Sequence, residues 1–185
     1  EELGNLGFPT IGSGSITVFG LDIPYAILIF VVLALLSLFI LKFTSLGNQI
    51  YAVGGNERAA TLSGIKTKRI KLFVYMFSAL MAAICSMINT SQLRAAHPAA
   101  GESWEMNAIA SVVLGGTSMS GGIGTIGGTI VGALVINVLN DGMTMMGVSS
   151  FWQQVIRGVV IVVAVVIDQL QASLQKKIAL QLRNQ

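Results

Sequence analysis

The sequence predicts an all-α polytopic membrane protein with about four to five transmembrane helices, one of them replaceable by a Gly-rich re-entrant hairpin. Three observations lead there. The 185 residues are 54% hydrophobic and 10% charged, with a mean hydropathy of +0.78. A water-soluble domain carries about 25% charged residues, so this chain lacks the polar groups to cover a surface facing water. Several runs also approach the roughly 20 apolar residues that a helix needs to cross a hydrocarbon layer about 30 Å thick. Finally, the basic residues segregate into alternate loops.

The chain opens Glu1-Glu2-Leu3, with neither an initiator Met nor the charged start of a signal peptide. It reads as the C-terminal portion of a longer polypeptide, with 1–185 as a single membrane-spanning domain. The first span is 23–41 (IPYAILIFVVLALLSLFIL), uncharged, with Pro24 suited to a first helical turn. A loop over 42–69 follows. The second span is 70–89 (IKLFVYMFSALMAAICSMIN), where Lys71 is placed to snorkel. Residues 104–117 are shorter and mixed, and form either a short span or half of a re-entrant hairpin. The next span, 123–140, is uncharged and glycine-rich; the last, 151–168, carries Arg157 near its start and Asp168 at its end. Arg157 is costly in lipid, so it either snorkels or pairs with a buried acceptor.

Orientation follows from the cations. Residues 1–22 contain no Lys or Arg, whereas Lys42, Arg58, Lys66, Lys68, Arg69 and Lys71 crowd into 42–71. Only Arg94 lies in 90–105, and Lys176, Lys177 and Arg183 lie in the tail. The positive-inside rule puts the 42–69 loop and the C-terminus in the cytoplasm and puts 1–22 and 90–105 outside. Parity holds if 105–140 leaves and returns to the outer face. The net charge of +3 lies in these loops and makes no basic, aromatic-interleaved face, which argues against nucleic acid as a partner. Cys85 and His97 are each the sole residue of their type, which excludes an intrachain disulfide and argues against a multi-histidine metal centre.

The most informative segment is GNQIYAVGGNERAATLSGI, residues 47–65. Gly54 and Gly55 break the chain, Asn56 suits an N-cap, and Glu57 falls in the first turn, where a helix favours negative charge. Arg58, Ala59, Ala60 and Leu62 continue about two turns, and Gly64 sits where a C′ glycine would end them. So short a helix is marginal in water. Either Ala59, Leu62 and Ile65 pack it on its own span ends, or it docks as a rigid plug on a cytoplasmic partner.

The run YAVGGNERAATLSGI, followed by GGTSMSGGIGTIGGTIVGALVINVLN and MGVSSFWQQVIRGVVIVVAVVID, resembles the bacterial ABC importer permeases for monosaccharides, the ribose, xylose and galactose family. The resemblance covers about residues 47–168, with separated blocks agreeing in order and spacing. It implies a bacterial inner-membrane, multi-pass chain that is half of a ten-span permease. It also implies a second permease copy, identical or different, a cytoplasmic ATP-binding subunit and a periplasmic sugar-binding protein. Residues Gly54 to Ile65 then match the family's coupling helix. The resemblance further implies that ATP is bound and hydrolysed by the partner, with no cofactor, metal or catalytic residue expected on this chain.

The glycine block tests that expectation. Gly122-Ile-Gly124-Thr-Ile-Gly127 formally fits a dinucleotide fingerprint, but the following helix is apolar all round and no buried strand of a soluble βαβ unit precedes it. No lysine is present for a Walker A loop. Gly124, Gly128 and Gly132 recur every four residues, as a close helix contact requires. The same broken region also suits the lining of a substrate path. No span carries a carboxylate pair or a charge ladder, which argues against proton coupling. Asn89, Asn137 and Asn140 remain as path candidates for a neutral polyhydroxylated solute, since an amide offers both donor and acceptor; interhelical bonding is their other use. Rival functions are a permease for amino acids or nucleosides, an ion-coupled carrier working without an ATPase, and a purely structural scaffold.

Overall fold

The computed structural model describes residues 14–18, 21–95 and 100–183, among them seven helices and one short hairpin. Glu1-Glu2-Leu3 and His97 lie outside the described residues. The protein is an all-α polytopic membrane protein, organised as two compact units over 1–102 and 103–185.

The first unit opens with strands β1 (Ser15–Val18) and β2 (Leu21–Pro24), antiparallel with Ser15 opposite Pro24 and Val18 opposite Leu21. This hairpin is an addition to the all-α expectation. Its signal was the alternation of Ile16 and Val18 with Ser15 and Thr17. Helix α1 (Tyr25–Phe43) starts one residue after Pro24, which sits at the N-cap (φ −59°, ψ 140°) and not in the first turn. Nineteen residues at 1.5 Å each give α1 about 28 Å, close to a bilayer core, and none of its side chains is buried.

Thr44 breaks the helix with extended torsions, and its hydroxyl accepts the Gly47 N–H at 3.4 Å while donating to the Ile40 carbonyl at 2.6 Å. Helix α2 (Ser45–Gly55) then folds tightly against the end of α1, because a Cβ on Gly47 would overlap the Leu41 carbonyl oxygen. Next come the short α3 (Glu57–Leu62) and the long α4 (Thr67–Leu93). Thr67, Ile70 and Ser91 are buried on one face of α4, with Phe73, Phe77, Met81, Ile84 and Ile88 half-buried between them, and the opposite face is bare.

The second unit contains α5 (Trp104–Leu114), α6 (Ile126–Met145) and α7 (Ser150–Arg183). Its core is the seam of α5 and α6, helices whose buried residues are Ala110, Ser111 and Val113 on the one and Gly132, Ile136 and Met143 on the other. Ile136 is only 3% exposed. Both α5 and α6 end in the same way. Gly116 (φ +84°) and Gly147 (φ +72°) take the left-handed torsions, and the next residues, Thr117 and Val148, return hydrogen bonds to the Val112 and Met143 carbonyls at 3.1 and 3.0 Å.

Helices α1, α4 and α6 are long and apolar enough to cross a membrane. Helix α5, at about 16 Å, is too short to do so alone, and the apolar part of α7 is Ser150–Val166. Beyond it α7 stays helical to Arg183.

Candidate functional site

The 42–69 loop is built as two helices joined at one residue. Gly54 and Gly55 do not break the chain; they complete the last turn of α2. The break falls on Asn56 (φ −156°, ψ 99°), which serves both neighbours. Its N–H donates to the Ala52 carbonyl at 3.1 Å, closing α2, and its side-chain oxygen accepts the Ala59 N–H at 3.0 Å, opening α3. At the other end Gly64 (φ +84°) donates to the Thr61 carbonyl and Ile65 to the Ala60 carbonyl, at 3.0 and 3.1 Å. Both ends of a six-residue helix are thus capped, which offsets part of the cost of nucleating so short an element.

What α3 turns inward is Ala60, buried, and not Ala59 or Leu62. Ala59 and Arg58 are exposed, and Leu62 is 90% exposed. The expected packing face of Ala59, Leu62 and Ile65 is therefore not formed; only Ile65 is partly covered. The small Ala60 lets the backbone come close, and Leu62 stands free as an apolar projection.

Glu57 is tied to the base of α4, since Lys71 Nζ lies 2.7 Å from its carboxylate. Lys71 thus pairs with an acid in the loop in place of snorkelling alone. Both side chains are about half exposed, so solvent screens the pair. A double-mutant cycle over Glu57→Gln and Lys71→Gln is expected to give a coupling of no more than about 1 kcal/mol, shrinking with added salt. Thermal unfolding at two ionic strengths reads it.

In the second unit, Gly128 and Gly132 lie against α5. A Cβ on Gly128 would overlap the Gly115 carbonyl oxygen, and one on Gly132 the Ser111 carbonyl oxygen. Gly124 does not share that face. Helix α6 begins only at Ile126, behind an N-cap at Thr125 whose hydroxyl accepts the Gly128 N–H at 3.1 Å. Gly124 instead sits in the preceding turn beside the Thr117 side chain. The capping threonine moved the helix start past the glycine that the four-residue spacing had enrolled.

Among the path candidates, Asn89 lies half-buried in the first unit, on α4. Asn137 and Asn140 lie on α6 of the second; Asn137 is exposed, and Asn140 is half-buried, with its Oδ1 enclosed and lacking a hydrogen-bond partner among the described residues. The second unit also holds a polar pair that the sequence reading did not assemble. Arg157 donates to Asn107 Oδ1 at 3.1 Å and to the Gln153 carbonyl at 3.2 Å. A guanidinium inside an apolar helix must find acceptors. The sequence named Arg157 but gave no means of choosing Asn107, fifty residues away, over the other amides.

Comparison with known proteins gives the family. Residues 5–165 match the family described as branched-chain amino acid transport system / permease component. The chain is 46% identical over 165 residues to the ribose import permease protein of Bacillus subtilis, covering 89% of this chain and 50% of that one. It is 45% identical over 148 residues to the ribose import permease protein of Escherichia coli K12, covering 80% and 46%. It is 42% identical over 146 residues to the xylose transport system permease protein of Haemophilus influenzae, covering 79% and 39%. The chain thus spans about half the length, or less, of the curated relatives it matches. No solved structure matches it.

Proposed function

This chain belongs to the branched-chain amino acid transport system / permease component family, and from that premise we propose that it is part of the permease of an ATP-driven importer that carries a monosaccharide across a bacterial inner membrane. The observation that carries the reading is α3, a short helix capped at both ends, paired with α4 through Glu57 and Lys71, with Leu62 almost fully exposed. Such a part transmits motion only if it is rigid, and hydrogen bonds cap it at both ends, from the Ala59 N–H to Asn56 and from Gly64 and Ile65 back to Thr61 and Ala60.

In this reading the 42–69 loop and the C-terminus are cytoplasmic, and residues Gly54 to Gly64 seat on an ATP-binding subunit. ATP is bound and hydrolysed there, and the present chain contributes neither a catalytic residue nor a cofactor. A second permease copy, of the same or a different chain, completes the path, and a periplasmic binding protein delivers the solute. Closure of the ATPase moves α3, and the membrane helices rock between outward and inward openings. The pairing of Arg157 with a neutral amide, Asn107, leaves no carboxylate proton relay in that pair and suits coupling to ATP instead of to an ion gradient.

The solute is inferred from the relatives. The family description names branched-chain amino acids, but the relatives at 42–46% identity are named for ribose and xylose, and pentoses are the favoured class. The amides Asn89, Asn137 and Asn140 are the path residues proposed for it, with Asn140 Oδ1 the acceptor most in need of a donor. The full-length permease, assembled with its ATPase and binding protein in vesicles, is expected to take up labelled ribose or xylose in a vanadate-sensitive manner and to ignore labelled leucine. Uptake of leucine alone would overturn the solute, and uptake insensitive to vanadate would overturn the importer class.

A further inference from the structure

The start of α4, from its N-cap Lys66 into the first turn, carries unpaired positive charge. Lys66, Lys68 and Arg69 are all exposed, and none of their side chains has a hydrogen-bond or ion-pair partner among the described residues. No acidic residue lies in that turn, and the nearby Glu57 is already paired with Lys71. Below these cations, on the bare side of α4, run Leu72, Tyr75, Met76 and Leu80, each more than half exposed. Lys68, Leu72, Met76 and Leu80 follow one another at four-residue spacing and so lie along one stripe of the helix, with Arg69 beside it. The packed face of α4, from Thr67 through Ile70 to Ser91, is the other one.

We propose that this stripe is a binding site for an anionic phospholipid, with the headgroup phosphate on Lys66, Lys68 and Arg69 and the acyl chains along Leu72, Met76 and Leu80. Charge at one end of an apolar run matches a molecule with a charged head and an apolar tail. Helix α4 is long and apolar enough to cross a membrane, so its first turn lies at headgroup depth, where basic residues attract anionic lipid. A zwitterionic lipid brings no net charge to the three cations. The inference rests on residence in the membrane and not on the sugar reading. Its consequence lies close by, since only Ser63, Gly64 and Ile65 separate Lys66 from α3. An occupied site therefore steadies the root of the coupling loop.

The full-length permease is placed in nanodiscs of equal phosphatidylcholine and phosphatidylglycerol, with Met76→Trp as the sole tryptophan. Brominated phosphatidylglycerol is expected to quench it with about fivefold preference over brominated phosphatidylcholine, the discrimination that roughly one surface cation supplies. The preference should fall to near unity in Lys68→Gln/Arg69→Gln, persist in Lys68→Arg/Arg69→Lys, and withstand inorganic phosphate at matched ionic strength. Equal quenching by both lipids, or an unchanged preference in the amide variant, would sink the proposal. So would displacement by free phosphate, which would mark a soluble anion site. Absence of quenching by either lipid would mean that protein covers the stripe, and would sink it as well. Native mass spectrometry of the chain with Met76 intact checks the same point without the tryptophan: phosphatidylglycerol should stay bound to it and be lost from the amide variant.

Discussion

Replacing Gly132 by leucine is expected to collapse the second unit. The Cβ alone would overlap the Ser111 carbonyl oxygen, and the Gly115 N atom lies only 2.8 Å from it. Both obstacles are backbone, so no rotamer change relieves them, and α5 must swing away from α6. Overpacking a core with side-chain give costs about 1–3 kcal/mol. Here the seam is the unit's core, containing Ala110, Val113, Ile136 and Met143, and the loss should exceed about 3 kcal/mol. Gly127→Leu is the control, because nothing lies within 4 Å of a Cβ there. Thermal unfolding of the purified protein should show a large drop for Gly132→Leu and little change for Gly127→Leu. Equal behaviour of the two would mean that α5 and α6 do not meet as described.

The second large effect concerns activity at nearly constant stability. Leu62→Asp changes a side chain that is 90% exposed, so the folded protein should reach the membrane with its stability within about 0.5 kcal/mol of the parent. If Leu62 fills an apolar pocket on an ATPase, an aspartate there is buried without a partner, and ATP-driven uptake should fall at least about tenfold. Ala60→Asp, two residues away, should act differently. Ala60 is buried within its own unit, so that variant should lose the loop's structure and the uptake together. The contrast between neighbours separates a docking surface from a folding element.

Much of this was legible beforehand. Composition fixes membrane residence, and Asn56 and Gly64 are read correctly as the caps of α3, because capping depends on residues adjacent in the chain. The errors share a cause. Gly54 and Gly55 look like a break, yet α2 carries them, because Asn56 ends the helix just after them and propensity yields to the cap. Gly124 has the spacing of a packing stripe, but Thr125 starts the helix beyond it. Ala60, and not Ala59 or Leu62, turned inward because six residues are too few for a periodicity to choose a face. Arg157 with Asn107 and Lys71 with Glu57 are contacts across 50 and 14 residues, which no local pattern ranks. The hairpin of β1 and β2 had its alternation in plain view, but four residues per strand are outweighed by the helix that follows.

The central claim is that α3 seats on an ATP-hydrolysing subunit. It is tested most directly by placing a cysteine at Leu62 in a cysteine-free background, Cys85 included, and cross-linking the assembled transporter with a short bifunctional reagent. The account predicts a single major adduct between this chain and the ATPase, whose yield changes when ATP and vanadate are added. No adduct from position 62, together with a strong one to the ATPase from a cysteine at Val148, in the α6–α7 connection, would contradict the claim and its orientation together.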